Sequence, residues 1–121
     1  MGAATATPEL KVLTDKLAKE YKLRTDDAAK KAPPFGNHTF GPDQRRKSLQ
    51  AVLEKLQPGD WILVEHPAFD TPETGALGHA GYTNVGTDRS NVRRAYMDKS
   101  ILELVRRRGI KLIGYKDLPG K

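Results

Sequence analysis

The sequence predicts an α/β fold in which helices alternate with parallel strands. Three observations carry that expectation. Trp61-Ile62-Leu63-Val64 is an unbroken run of four large apolar residues that stops at Glu65-His66-Pro67. Preceded by Pro58-Gly59-Asp60, it reads as a short strand buried on both faces, the kind found in parallel sheets. Helical periodicities flank it: Leu49, Val52, Leu53 and Leu56 before, and Ile101, Leu104 and Val105 after. A second apolar run, Ile110-Lys111-Leu112-Ile113-Gly114-Tyr115, follows as a closing strand.

Taken in order, the first element is a helix over 7–22. Thr7 suits the N-cap, Pro8 the first helical position and Glu9 the first turn. Leu10, Leu13, Leu17 and Tyr21 share one face, which is expected to pack into the core. Residues 22–41 read as irregular: Asp26-Asp27 suits a turn cap, Lys30-Lys31-Ala32-Pro33-Pro34-Phe35-Gly36-Asn37 a surface loop, and His38 a solvated position. Pro42-Asp43 opens a second helix, and Gln57-Pro58-Gly59 ends it before the buried strand. Pro67 cannot donate to a sheet ladder, so that strand ends there and leaves His66 at its carboxyl end. Residues 68–91 form a long polar loop with glycines at 75, 78, 81 and 86. A loop of that length at a strand end suits substrate binding, and equally an ordinary mobile insertion. A helical turn is expected over 91–97. Asp98 then caps a helix that ends on Arg106-Arg107-Arg108, with Gly109 at C′.

The 121 residues hold one domain with a modest core. Apolar residues make up 37% and charged residues 30%, the charges spread along the chain, which argues against disorder throughout. With no cysteine, the sequence has no disulfide, no Cys-ligated zinc and no thiol nucleophile. No apolar run nears the ~18 residues of a membrane span. No basic-then-apolar leader is visible at the N-terminus, so a soluble, cytoplasmic chain is the default expectation. The net charge of +6 reads first as a solvated Lys/Arg surface. Arg93-Arg94 and Arg106-Arg107-Arg108 are the basic clusters; the second suits the negative end of a helix dipole, and only Tyr96 supplies an aromatic nearby. A nucleic-acid partner is therefore not expected.

Chemistry concentrates around the carboxyl end of the buried strand. In α/β folds, ligands and catalytic groups collect at that edge. His66 sits there beside Glu65, and an imidazole is suited to proton transfer near neutral pH. A histidine that simply bonds the backbone at a strand end is the plainer reading. His66, His79 and Asp70 or Asp88 are donors of the type zinc accepts, but their spacing fits no compact metal motif. No nucleophile elbow, P-loop or dinucleotide-binding glycine pattern occurs.

Four segments together resemble the C-terminal part of the YdjC-like (ChbG/HpnK) carbohydrate deacetylases, relatives of the polysaccharide deacetylases. They are Trp61-Ile62-Leu63-Val64-Glu65-His66-Pro67-Ala68-Phe69-Asp70, Gly78-His79-Ala80-Gly81-Tyr82, Asp88-Arg89, and Gly109-Ile110-Lys111-Leu112-Ile113-Gly114-Tyr115-Lys116-Asp117-Leu118. The resemblance implies the C-terminal portion of a TIM-like (β/α) barrel, with residues 1–121 as a single partial domain. It implies a metal-dependent hydrolase that removes N-acetyl groups from an amino sugar or oligosaccharide. His66 is then the general acid, and Asp70, His79, Asp88 and Arg89 are substrate-binding candidates. Met1-Gly2-Ala3 is similar to the segment that follows a metal-binding histidine in the family. The family's metal ligands, an Asp and two His, have no counterpart in this sequence. The divalent zinc or magnesium of the full-length family is therefore not expected to bind this chain alone, and the isolated chain is expected to be inactive. A full barrel takes about 250 residues, and a two-stranded parallel sheet rarely stands alone, so a fragment is the expectation. The alternative is a non-catalytic half-barrel that binds a sugar or a protein, its exposed edges favouring a homodimer.

Overall fold

A computed structural model of the chain describes residues 7–23 and 29–118. Met1-Gly2-Ala3, the Asp26-Asp27 turn cap and the last three residues of the tail lie outside them. The fold is a small α/β arrangement: helix α1 (Pro8–Glu20), strand β1 (Lys30–Lys31), helix α2 (Pro42–Lys55), strand β2 (Trp61–Ile62), a single helical turn α3 (Pro72–Gly75), and helices α4 (Val85–Met97) and α5 (Lys99–Arg107). A 3₁₀ turn follows at Tyr115–Asp117. No helix among the described residues is long and apolar enough to cross a membrane.

The two strands pair in parallel, Lys30 with Trp61 and Lys31 with Ile62. Lys30 N donates to Asp60 O at 2.8 Å and Ala32 N to Ile62 O at 2.9 Å. With α2 between them they make a βαβ unit, of which the sequence had shown only the α2–β2 half. β1 was read as surface loop because Lys30-Lys31 carries no apolar signal. Its lysines are exposed, and Lys30 Nζ lies 5.4 Å from the Trp61 ring centre.

The core lies between α2, α4 and α5, around Leu49, Leu53, Val92, Ala95, Ile101 and Leu104, with Phe35 closing it. Leu49 and Leu53 follow from the α2 periodicity. Phe35 does not: it comes from the Pro-rich stretch after β1, is wholly buried, and meets Tyr96 edge-on at 5.5 Å. Such a pair adds about 0.5–1.5 kcal/mol beyond the burial of its area.

The helix ends follow their chemistry. Thr7 Oγ1 accepts from Leu10 N at 3.3 Å, and Asp98 Oδ1 from Ser100 N at 2.9 Å. α5 closes in a Schellman motif: Ile110 N bonds Val105 O and Gly109 N bonds Arg106 O, both at 3.0 Å, with Gly109 at φ +64°. The residue before Gly109, Arg108, reaches across to α2 and donates to the carbonyls of Glu54 and Leu56. Those carbonyls end α2, so a cation there satisfies orphan acceptors and the helix dipole together. One member of the basic cluster is thus structural.

Four expectations are corrected. The 61–64 strand is two residues long and only half-buried, and Val64 is 62% exposed. A strand buried on both faces belongs inside a wider sheet with layers packed above and below it, and β2 belongs to a sheet of two short strands among the described residues. The apolar stripe of α1 does not enter the core: Leu10, Leu13, Leu17 and Tyr21 are all exposed, and only Ala18 is buried. Residues 110–115 form no strand, and Leu112 is 89% exposed, because no strand edge stands beside them among the described residues. The 68–91 loop is shorter than expected, since it contains α3 and the first two turns of α4. The expected 91–97 turn is the second half of α4; its first two turns were missed because much of the buried face is polar (Asp88, Ser90, Asn91), which weakens the helical hydrophobic period.

Candidate functional site

Arg45 organises the site. It lies on α2 one turn before Leu49, on the face that enters the core, and it is 2% exposed. A guanidinium cannot be desolvated without partners, so the fold must bring it an anion. That anion is Asp88 in the first turn of α4. Arg45 Nη2 donates to Asp88 Oδ1, and also to Asn37 O at 2.6 Å. The guanidinium lies 5.8 Å from the Phe35 ring centre and 6.0 Å from that of Phe40. The backbone reaches this arrangement through Gly36, at φ +122°; a Cβ there would stand 2.6 Å from the Phe40 ring.

Asp88 has a second partner. Tyr82 Oη donates to its Oδ2 at 2.6 Å. Burial raises the Tyr82 hydroxyl above its ordinary pKa, and the bond to Asp88 adds to that because it holds the proton on the phenol. Tyr82 belongs to a tight turn bridged to His79, with backbone bonds of 3.1 and 2.9 Å and Gly81 at φ +85°. Two imidazoles flank its ring: His38 at 5.5 Å and His79 at 5.8 Å between centres. Asn84 Nδ2 fixes the His38 carbonyl at 2.6 Å, and Asn91 Nδ2 the Phe40 carbonyl at 3.2 Å. Polar residues of α4 thereby hold the 37–40 loop against the 79–82 turn.

The carboxyl end of β2 comes up beside this ion pair. Burial raises the Glu65 carboxyl above its ordinary value, Asp88 adds to the rise, and Arg45 and His66 oppose it. The same carboxylate acts on Tyr96, whose hydroxyl is pushed up to about 12, chiefly by burial and then by the Glu65 charge. Beyond it, Ala68 N bonds Arg89 O at 3.2 Å, which ties the segment after His66 to α4.

The sequence-predicted residues therefore fall into two sets. Asp70, His79 and Arg89 lie about the 79–82 turn and the start of α4, whereas His66 is not at the strand end as expected: β2 stops at Ile62, four residues earlier, because only Trp61 and Ile62 pair with β1. His66 is exposed, as is His79, whose Nδ1 lies 2.9 Å from Ala80 O. Arg89 is half-buried and interacts with the Tyr82 hydroxyl. Asp70 is exposed, and its Oδ2 accepts from Thr87 Oγ1 at 2.9 Å. Its other oxygen crowds the place a Gly86 side chain would occupy, so it serves as the anion at the α4 N-terminus, where Asn84 makes no side-chain cap. Asp88 stands apart, buried and held by Arg45 and Tyr82.

Among the described residues, no three His, Asp or Glu side chains converge to hold a metal ion. The donor set of His66, His79, Asp70 and Asp88 does not fit one, because Asp88 faces a guanidinium and Asp70 a helix end. Sequence reasoning missed Arg45 and the role of Tyr82. The Arg45 signal was present: an arginine four residues before Leu49, in register with Leu49, Val52, Leu53 and Leu56, demands a buried carboxylate.

Comparison with protein-family models, curated proteins and solved structures finds no match to this chain.

Proposed function

We propose that this chain supplies the C-terminal half of the site of a metal-dependent carbohydrate N-deacetylase, with His66 as general acid to the leaving amine. The observation that carries the reading is the position of His66: an exposed imidazole four residues past the carboxyl end of a parallel strand, in the segment that Ala68 N ties to Arg89 O. α/β folds place reacting groups outside that end of their strands. The resemblance of residues 61–70, 78–82, 88–89 and 109–118 to the deacetylases supplies the reaction class.

In this reading His66 gives its proton to the amine nitrogen as the amide C–N bond breaks. His79 and Arg89 meet the sugar's hydroxyl groups. Asp88 works from behind: it holds Tyr82, and through Tyr82 the 79–82 turn. The divalent metal, which would polarise the amide and activate water, would be held by the family's Asp and two His, which have no counterpart in this sequence.

Acetate release from triacetylchitotriose tests the reading. With zinc or magnesium added, the chain alone releases no more than the metal blank. Joined to a polypeptide that brings an Asp-His-His metal site, it releases acetate, and His66→Ala lowers that rate about 10²-fold or more. A rate indifferent to His66→Ala would contradict the assignment.

A further inference from the structure

Past their two paired residues, β1 and β2 diverge, and a cleft of about 210 Å³ opens between residues 31–35 and 62–65. Its walls are mostly apolar, with Pro33, Pro34 and Phe35 on one side and Leu63 and Val64 on the other. Because the strands are parallel, the cleft runs from Lys31 and Ile62 at the sheet to Phe35 and Glu65 at its far end. Phe35 is anchored in the core and Leu63 packs against it, so the cleft rests on rigid groups.

Glu65 is the carboxylate of this cleft, and it is half-buried. Among the described residues it forms no ion pair within 4 Å, and its bond is to the backbone of His66. The Arg45 and His66 charges favour its charged form from a distance, and Asp88, which holds Arg45 in direct contact, offsets part of the Arg45 effect. The cleft thus carries Lys31 at the sheet and, at its far end, a half-buried carboxylate with no counter-ion in direct contact among the described residues. A half-desolvated carboxylate without a counter-ion is costly, and a cation that reaches it from the cleft recovers that cost.

We propose that this cleft binds a primary ammonium carried on a small ring with an apolar face, with Glu65 as its counter-ion. The cleft is smaller than the ~300–1,000 Å³ of sites for drug-sized ligands, so it takes one ring or the end of a longer molecule. In one respect the inference deepens the deacetylase reading and rests on it: deacetylation turns a neutral amide into an ammonium next to His66, and Glu65 is the adjacent residue. The cleft then holds the free amino sugar and discriminates product from substrate by charge.

The test is a titration of the ¹⁵N-labelled chain with glucosamine, N-acetylglucosamine, cyclohexylamine and cyclohexanol, followed by amide shifts. The expected result is that both amines shift residues 31–35 and 62–65, while N-acetylglucosamine and cyclohexanol do so at least about tenfold more weakly. Glu65→Gln, nearly the same shape, lowers amine affinity about tenfold or more and removes the preference for amine over alcohol. The cyclohexylamine–cyclohexanol comparison tests charge recognition on the unaltered chain, whatever the variant's stability. The inference is overturned if the amines leave 31–35 and 62–65 unmoved, if the neutral partners bind as well, or if Glu65→Gln binds amines unchanged. The cyclohexylamine arm involves no sugar and no hydrolysis. It therefore succeeds or fails independently of acetate release.

Discussion

Replacing Arg45 with Met leaves Asp88 charged at a 9% exposed position with one hydroxyl partner. Removing one member of a buried pair costs about 3–5 kcal/mol, so Arg45→Met should lower the urea midpoint steeply, as should Asp88→Ala. The double variant Arg45→Met/Asp88→Asn should cost well below the sum, because neither charge is then left alone. A simple sum would show that the two do not act as a pair. Tyr82→Phe removes one of the two bonds to Asp88 and should cost about 1.5–3 kcal/mol, since that bond is to a charged acceptor. Glu65 behaves in the opposite sense. Its folded pKa lies above the ordinary 4.5, so the folded chain holds that proton more tightly than the unfolded chain. Stability is therefore lost as pH rises from the unfolded value through the raised one. Glu65→Gln should match the parent below about pH 4 and be the more stable above about pH 7, read by urea melts at both. Solvent at this half-buried site keeps the difference small. A variant less stable at the higher pH would mean that Glu65 has a stabilising partner.

Helix α2 and helix α1 carry similar leucine patterns and reach opposite ends. Leu49→Ala removes a fully buried side chain and should cost about 2–5 kcal/mol, whereas Leu13→Ala, at a half-exposed position, should cost below about 0.5 kcal/mol. Equal costs would mean that the α1 stripe is covered in solution. Replacing Gly109 with Ala puts a Cβ on a left-handed residue and should cost about 1 kcal/mol. Local signals were legible where local chemistry decides: Thr7-Pro8-Glu9, Pro42-Asp43, Asp98 and Gly109 each set a helix end where the residue types put it. Legibility failed where a partner decides. A two-residue strand of lysines exists because Trp61 and Ile62 offer it an edge. Residues 110–115 have the composition of a strand and no edge to join. α4 hides its helical period because its inner face is built to bond Arg45 and the 37–40 loop. Of the candidate site residues, His66 was singled out from an expected strand end that in fact lies four residues earlier, at Ile62, and the 79–89 region from its glycine-rich loop. Arg45 was not, because an arginine within a leucine stripe reads as a surface residue until its register is counted.

Across the whole molecule, a buried ion pair and its tyrosine fix two loops and a strand end in one place. Arg45 comes from α2, Asp88 from α4 and Tyr82 from the turn between α3 and α4, so the site is no more ordered than the packing of α2 on α4. We propose that this shared face recognises an N-acetylated amino sugar. Titrating the ¹⁵N-labelled chain with triacetylchitotriose tests it most directly. The account predicts that the amides of residues 66–70 and 79–89 shift together with a single dissociation constant, and that Arg45→Met abolishes the pattern by releasing Tyr82 and its turn. Shifts confined to α1, or none at saturating sugar, would contradict it.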